Sequence, residues 1–283
     1  MHAKVGNYII TELISQCHDG KVYKAINPSI PKTSYAIRVV PNELISPNKL
    51  LALEREVTIL RTIMHKNIIA LKTTSITNKN YCLVFEYCDG GNLASFIKNY
   101  QFEKISETVL RDIIRQIVSG VEALHSNSVA HNNLTPNNIL LAKEGEILRV
   151  KLSDFRSAQF VHPKSHDFRY DIFDIGHILQ KLINKDLEIE ASFITKRLDL
   201  SKECLDFLKG CFQVTNNKEL FLKTVKAHPF ISMGEGEMGE KSMLEESCDW
   251  LLVREEESEN MEEEFEMISS FDLEKTGEFG MKI

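Results

Sequence analysis

The chain has 283 residues, 43% hydrophobic and 27% charged, with a formal net charge of −7. That is enough apolar material for a sizeable core divided between two lobes. No apolar run approaches the ~18 residues of a membrane-spanning helix. The charge is uneven: residues 233–283 hold 17 Asp+Glu against 4 Lys+Arg, net −13, which leaves +6 on residues 1–232. A mildly basic body with an acidic tail implies two regions with different jobs. The basic residues are spread along the body and no RNA or DNA motif is present, which argues against a nucleic-acid partner. Cys17, Cys82, Cys88, Cys204, Cys211 and Cys248 are scattered with no C-x-x-C pair. Reduced thiols in a cytoplasmic protein are the expectation, and Met1–Asn7 lacks the apolar run of a signal peptide.

Taken in order, residues 7–40 read as strand, turn, strand and a further strand. Gly20 marks the turn inside Ile14–Ala25, and Tyr35–Val40 alternates as a strand does. From Leu50 to Met64 the spacing is helical, with Leu53, Val57, Leu60 and Met64 on one side. Tyr81–Cys88 reads as a buried strand running into the turn Asp89-Gly90-Gly91. Val109, Leu110, Ile113, Ile114, Ile117, Val121 and Leu124 form the apolar face of a long helix.

His131-Asn132-Asn133-Leu134-Thr135-Pro136-Asn137-Asn138-Ile139-Leu140-Leu141 follows that helix. It resembles the catalytic loop of protein kinases, H-R-D-L-K-P-x-N-I-L-L. The frame is kept but the working groups are not. Asn133 stands where the family's Asp accepts the substrate proton, and an amide is no base at neutral pH. Asn132 replaces the family's Arg, and Thr135 replaces the Lys that touches the transferred phosphate.

The resemblance extends over residues 7–231. Ile14–Ala25 is similar to the glycine-rich loop, with Ser15 and Cys17 in place of two glycines that let backbone N–H groups approach phosphates. Tyr35–Val40 is similar to V-A-I-K, with Arg38 at the phosphate-binding lysine. Glu56 in the Leu50–Met64 helix would be its partner. Glu86 and Cys88 take the hinge positions that meet an adenine, with Ile14, Val22, Ala36 and Leu140 as its apolar walls and Phe85 at the back. Leu60, His131 and Phe155 match the family's regulatory stack. Val150–Arg156 is similar to the D-F-G segment, with Arg156 for the glycine. Asp154 and Asn138 keep the positions of two magnesium ligands, although the Arg156 guanidinium would compete with a cation. Glu86–Gly91 and Gln116–Gly120 resemble the autophagy-initiating, Unc-51-like serine/threonine kinases in particular.

Tyr170–Leu179 is similar to the family's F-helix start, D-[IV]-[WF]-S-[LI]-G, and Asp171 to the aspartate that anchors the catalytic loop. Only 16 residues separate Asp154 from Asp171, and none spells A-P-E. In active members that interval is roughly twice as long and carries the activation loop and the peptide-docking platform. The Arg that pairs with the A-P-E glutamate is also missing near Lys218 and Glu219.

The resemblance therefore implies an α+β, bilobal kinase-like fold over residues 1–231: an antiparallel-sheet N-lobe with one helix to about 87, and a mainly helical C-lobe over 88–231. Residues 232–283 form an acidic tail too charged to collapse into a core. Within it Trp250–Val253 and Phe265–Ile268 each set an aromatic residue three places before an aliphatic one, behind acidic residues. Such pairs resemble the short motif that binds Atg8-type ubiquitin-like proteins; docking on the chain's own body is the alternative for each. The expected function is a catalytically impaired pseudokinase acting as scaffold or regulator in autophagy initiation, with ATP and Mg binding weak or absent. Two alternatives stand beside it: a residual serine/threonine kinase, and a nucleotide-sensing module.

Overall fold

The computed structural model describes residues 3–17, 20–100, 104–144, 147–162, 168–188, 197–213 and 225–232. Contacts divide the chain into two compact units. The described residues of the first are 3–45 and 72–87, and those of the second are 46–71 and 88–232.

The first unit is a sheet in the order β1-β2-β3-β4-β6-β5. Its strands are β1 (Lys4–Val5), β2 (Tyr8–Cys17), β3 (Gly20–Asn27), β4 (Ile30–Pro41), β5 (Leu71–Ile76) and β6 (Asn80–Glu86). The pairings from β1 through β6 are antiparallel. Side-chain alternation separates two faces. One carries a core of Val5, Ile10, Ala25, Tyr35, Ile37, Cys82 and Val84. On the other, register places Val22 opposite Arg38 and Ala36 opposite Phe85. Gly20, the surviving glycine of the turn, is required by packing: a Cβ there would collide with the Val39 carbonyl on β4.

The second unit contains α1 (Pro47–Thr62), α2 (Leu93–Asn99), α3 (Glu107–Ser126), α4 (Phe168–Asn184), α5 (Lys202–Phe212) and a short helix Pro229–Ser232. Ser46, Asn92, Ser106 and Ser201 cap α1, α2, α3 and α5 by accepting backbone N–H bonds, which satisfies donors that a helix start leaves open. Helix α3 is the axis: all seven apolar-face residues read from its sequence are at most 1% exposed. The expected face of α1 needs one correction. Leu53, Val57 and Leu60 are buried, but Met64 is 90% exposed because the helix stops at Thr62 and Ile63 is extended. Among the described residues no helix is long and apolar enough to cross a membrane.

A hairpin and a two-stranded ladder complete this unit: β8 (Ile139–Glu144) turns into β9 (Ile147–Leu152), and β7 (Val129–Ala130) pairs antiparallel with the distant β10 (Gln159–Phe160). A buried amide network holds the first against α3. Asn67 Nδ2 donates to the Val150 carbonyl (2.9 Å) and to Gln116 Oε1 (3.0 Å). Gln116 Oε1 also accepts from the Val150 N–H (2.9 Å), and its Nε2 donates to the Leu148 carbonyl (3.1 Å). Cys82, Cys88, Cys204 and Cys211 are free thiols. Burial pushes Cys82 up to about 11 and Cys204 up to about 12, so neither is a thiolate at neutral pH.

Candidate functional site

The loop from His131 to Asn138 hangs from one buried carboxylate. Asp171, on the first turn of α4, is 0% exposed. Its Oδ2 accepts the His131 N–H (2.9 Å) and its Oδ1 the Asn132 N–H (2.8 Å). His125 Nε2 donates to the same Oδ2 (2.7 Å). Two backbone N–H bonds to the two oxygens of one carboxyl group fix the loop's direction. They also hold Asn132 in the left-handed region, at φ 60°.

From that anchor the other positions follow. His131 is fully buried, and desolvation lowers its pKa, so it is neutral and donates from Nε2 to the Ser153 carbonyl (3.0 Å). Its ring meets Phe155 edge to face at 4.8 Å, and helix α1, which carries the buried Leu60, packs on the turn Phe155–Ser157. Asn138 Nδ2 donates to the Asn133 carbonyl (2.8 Å), and the Asn138 carbonyl accepts both the N–H and the hydroxyl of Ser153 (2.9 Å each). The amide of Asn132 reaches the Ser157 carbonyl at 3.4 Å, a neutral contact where the family has a guanidinium. The frame of the loop is thus complete around a side chain, Asn133, that cannot take a proton.

Asp154 lies at the entrance to the Phe155–Ser157 turn with φ 62° and ψ 69°. Its carboxylate is gripped side-on by Arg156: Nε donates to Oδ1 (2.5 Å) and Nη2 to Oδ2 (2.7 Å). The Arg55 guanidinium reaches the Arg156 carbonyl at 3.5 Å, tying α1 to the same turn.

Asp174 was not singled out by the sequence, although it stands at the serine of the D-[IV]-[WF]-S pattern. Its Oδ2 accepts the Leu134 N–H (3.3 Å). Burial first, and the nearby Asp171 charge second, push it up to about 6. The connection after Phe160 is equally informative. Val161 donates to the Ser128 carbonyl (2.8 Å). Phe168, at the start of α4, packs with Val161 and Ala130 and lies edge to face with His125 at 4.4 Å. Six residues, 162–167, join these two pinned points.

In the sheet unit Val22 and Ala36 are half-buried, Ile14 is 43% exposed and Arg38 is 7% exposed with its guanidinium 5.9 Å from the Phe85 ring centroid. Glu86 and Cys88 are half-buried. In the helical unit Glu56 is 1% exposed and Leu140 half-buried, bridged to Asn92. Lys218, Glu219, Trp250, Val253, Phe265 and Ile268 lie outside the described residues.

This sheet, this anchored loop and this D-F-R turn define a protein kinase fold, and residues 8–175 match the protein kinase domain family. The chain belongs to that family. Its relatives include serine/threonine-protein kinase ULK3 of Mus musculus, 26% identical over 273 residues, covering 84% of this chain and 57% of that protein. Serine/threonine-protein kinase ATG1c of Arabidopsis thaliana is 24% identical over 265 residues, covering 81% and 36%, and ATG1a of the same plant 34% identical over 130 residues, covering 46% and 20%. The chain spans a little over half the length of the ULK3 protein it matches.

Kinase domains generally take ATP with magnesium. The residues here do not fit that metal. Magnesium demands unencumbered oxygens in near-octahedral geometry, and both oxygens of Asp154 are engaged by a guanidinium that also repels a dication. Among the described residues, no group of three or more His, Cys, Asp or Glu could hold a metal ion.

Proposed function

We propose that this chain is a pseudokinase: a kinase domain that has lost phosphoryl transfer and serves as a scaffold or regulator in autophagy initiation. The observation that carries the reading is Asn133 in an intact loop. Asp171 and Asn138 hold the loop's backbone, so the defect is chemical rather than conformational. Loss of a general base costs roughly 10²–10⁴-fold in rate. Thr135, Arg38, the Arg156 grip on Asp154 and the six-residue connection add independent losses in a reaction that depends on positioning and charge. Nucleotide binding is correspondingly weak. The setting rests on the resemblance to Unc-51-like kinases, and the partner on the tail. There Trp250 and Val253 would enter two pockets of an Atg8-type protein as an extended strand added to its sheet edge.

The test is transfer of phosphate from ATP to a peptide panel by the wild-type chain, Asp154→Ala and Asn133→Asp. The expected result is no transfer above background by any of them, since parts that act as a unit are not recovered singly. Robust wild-type transfer abolished by Asp154→Ala would make the chain a residual kinase. Activity in Asn133→Asp alone would show that the other departures are tolerated.

A further inference from the structure

Arg156 does more than remove a glycine. Its planar fork meets the Asp154 carboxylate with two parallel bonds, 2.5 and 2.7 Å, the geometry in which guanidinium and carboxylate bind most strongly. The Asp154 side chain is 15% exposed and so largely sheltered, while Arg156 is 37% exposed and can be reached by a ligand. A guanidinium two residues away along a tight turn is present at a fixed, very high effective concentration, whereas a metal must arrive from solution and shed tightly held water. The competition for Asp154 therefore favours Arg156.

The consequence concerns charge. A bare carboxylate attracts a dication, and the dication then attracts phosphate. A carboxylate neutralised by its own guanidinium neither attracts a dication nor repels a polyphosphate as a bare carboxylate would, and guanidinium N–H groups donate well to phosphate oxygens. We propose that Arg156 takes the metal's place on Asp154, and that the chain accepts a nucleoside triphosphate as the free polyphosphate rather than as its magnesium complex. This rests on the reading of the chain as a non-catalytic kinase domain with weak nucleotide binding, and states what form of nucleotide that binding takes.

The experiment is a melting measurement on the full chain at matched ionic strength, with four additions: none, magnesium chloride alone, ATP with EDTA, and ATP with excess magnesium. The wild type is expected to melt higher with ATP and EDTA than with ATP and magnesium, and magnesium alone should leave it unchanged. Arg156→Gly is expected to reverse the order, with the rise confined to the magnesium arm. Arg156→Gln keeps most of the bulk and loses the charge, and covers the case in which the glycine variant fails to fold. Its affinity for ATP in EDTA should fall roughly tenfold, the usual scale for losing a charged hydrogen bond. A wild-type rise seen only with magnesium, no rise in either ATP arm, or the same order in Arg156→Gln would each overturn the proposal. A magnesium-only rise without peptide phosphorylation would sink this inference and leave the non-catalytic reading standing. Peptide phosphorylation would sink that reading, while the order of melting points still decides the metal question.

Discussion

Asp171 and Asp174 lie one helical turn apart under the same loop and do opposite things. Asp171 is the acceptor for two backbone N–H groups and His125. Truncating it orphans buried donors at about 1–3 kcal/mol apiece. Asp171→Ala should therefore lose about 3–5 kcal/mol, as when one partner of a buried pair is removed. Asp171→Asn, which keeps one acceptor oxygen, should lose clearly less. Urea unfolding checks both, and a loss under about 1 kcal/mol for the alanine variant would contradict the anchoring role. Asp174 instead carries a penalty. Its pKa is raised from 3.8 to about 6 by burial and then by Asp171, against the Leu134 N–H and Lys181. Well below pH 3.8 it is protonated whether folded or unfolded, and costs nothing. Between those two values the unfolded chain releases its proton and the folded chain keeps it, so stability falls as pH rises and levels off above pH 6. Solvent access to this half-buried group discounts the effect to about 1–2 kcal/mol. Asp174→Asn should thus be more stable than wild type at pH 7.5, with the gap closing as the pH falls to 3; a gap that ignores pH would refute the assignment. The Asp171 anchor was legible because its neighbours form a recognisable pattern. The Asp154–Arg156 pair was legible only as competition, since spacing of two does not reveal whether two side chains meet. Asp174 went unnoticed because a carboxylate in place of a serine signals nothing until its burial is known.

Among the elements, α3 shows how a motif read for kinship can be a packing device. Gln116 and Gly120 are one turn apart. The first fills the hydrogen-bonding capacity of Val150 and Leu148, and the second lets the helix approach closely enough to do so. A Cβ at 120 would stand 2.8 Å from Leu152 Cδ1 and 2.9 Å from the Asn67 carbonyl oxygen. That carbonyl already accepts the Leu152 N–H and cannot simply move away. Alanine is the better helix former by about 1 kcal/mol, but overpacking costs about 1–3 kcal/mol. Gly120→Ala should therefore lower the urea midpoint, and an increase would show that the neighbours yield freely. The helix's apolar face could be read from its period of 3.6. The end of α1 could not, because Met64 continues the period while the backbone has already turned at Ile63. The short connection was visible as a length, but its fastening was not: Phe168 meets Ala130 and His125 from some 40 residues away, and such contacts leave no local pattern. Phe168→Ala should cost about 3–5 kcal/mol, the usual loss for a buried phenylalanine. A change below about 1 kcal/mol would mean that the connection is not held there.

At the scale of the whole molecule, the balance of +6 on residues 1–232 against −13 on residues 233–283 allows two uses of the tail. Opposite charge favours docking of the tail on its own body. It equally prepares Asp249, Glu245 and Glu246 to meet a basic groove on another protein, with Trp250 as the anchor, since tryptophan is prominent among residues that carry interface energy. The proposed function requires the second use. Trp250→Ala combined with Val253→Ala separates them, because the two uses predict opposite outcomes in two measurements. If the tail serves a partner, the double variant keeps the wild-type melting point and loses capture of a purified Atg8-type protein. Capture by wild type should also weaken as salt rises from 50 to 500 mM, because the Debye length shortens and the acidic flank contributes less. If instead the double variant melts several degrees lower and captures the partner as before, the motif is part of the protein's own packing. The autophagy setting would then lose its main support, while the reading of Asn133 as a non-catalytic residue would stand unchanged.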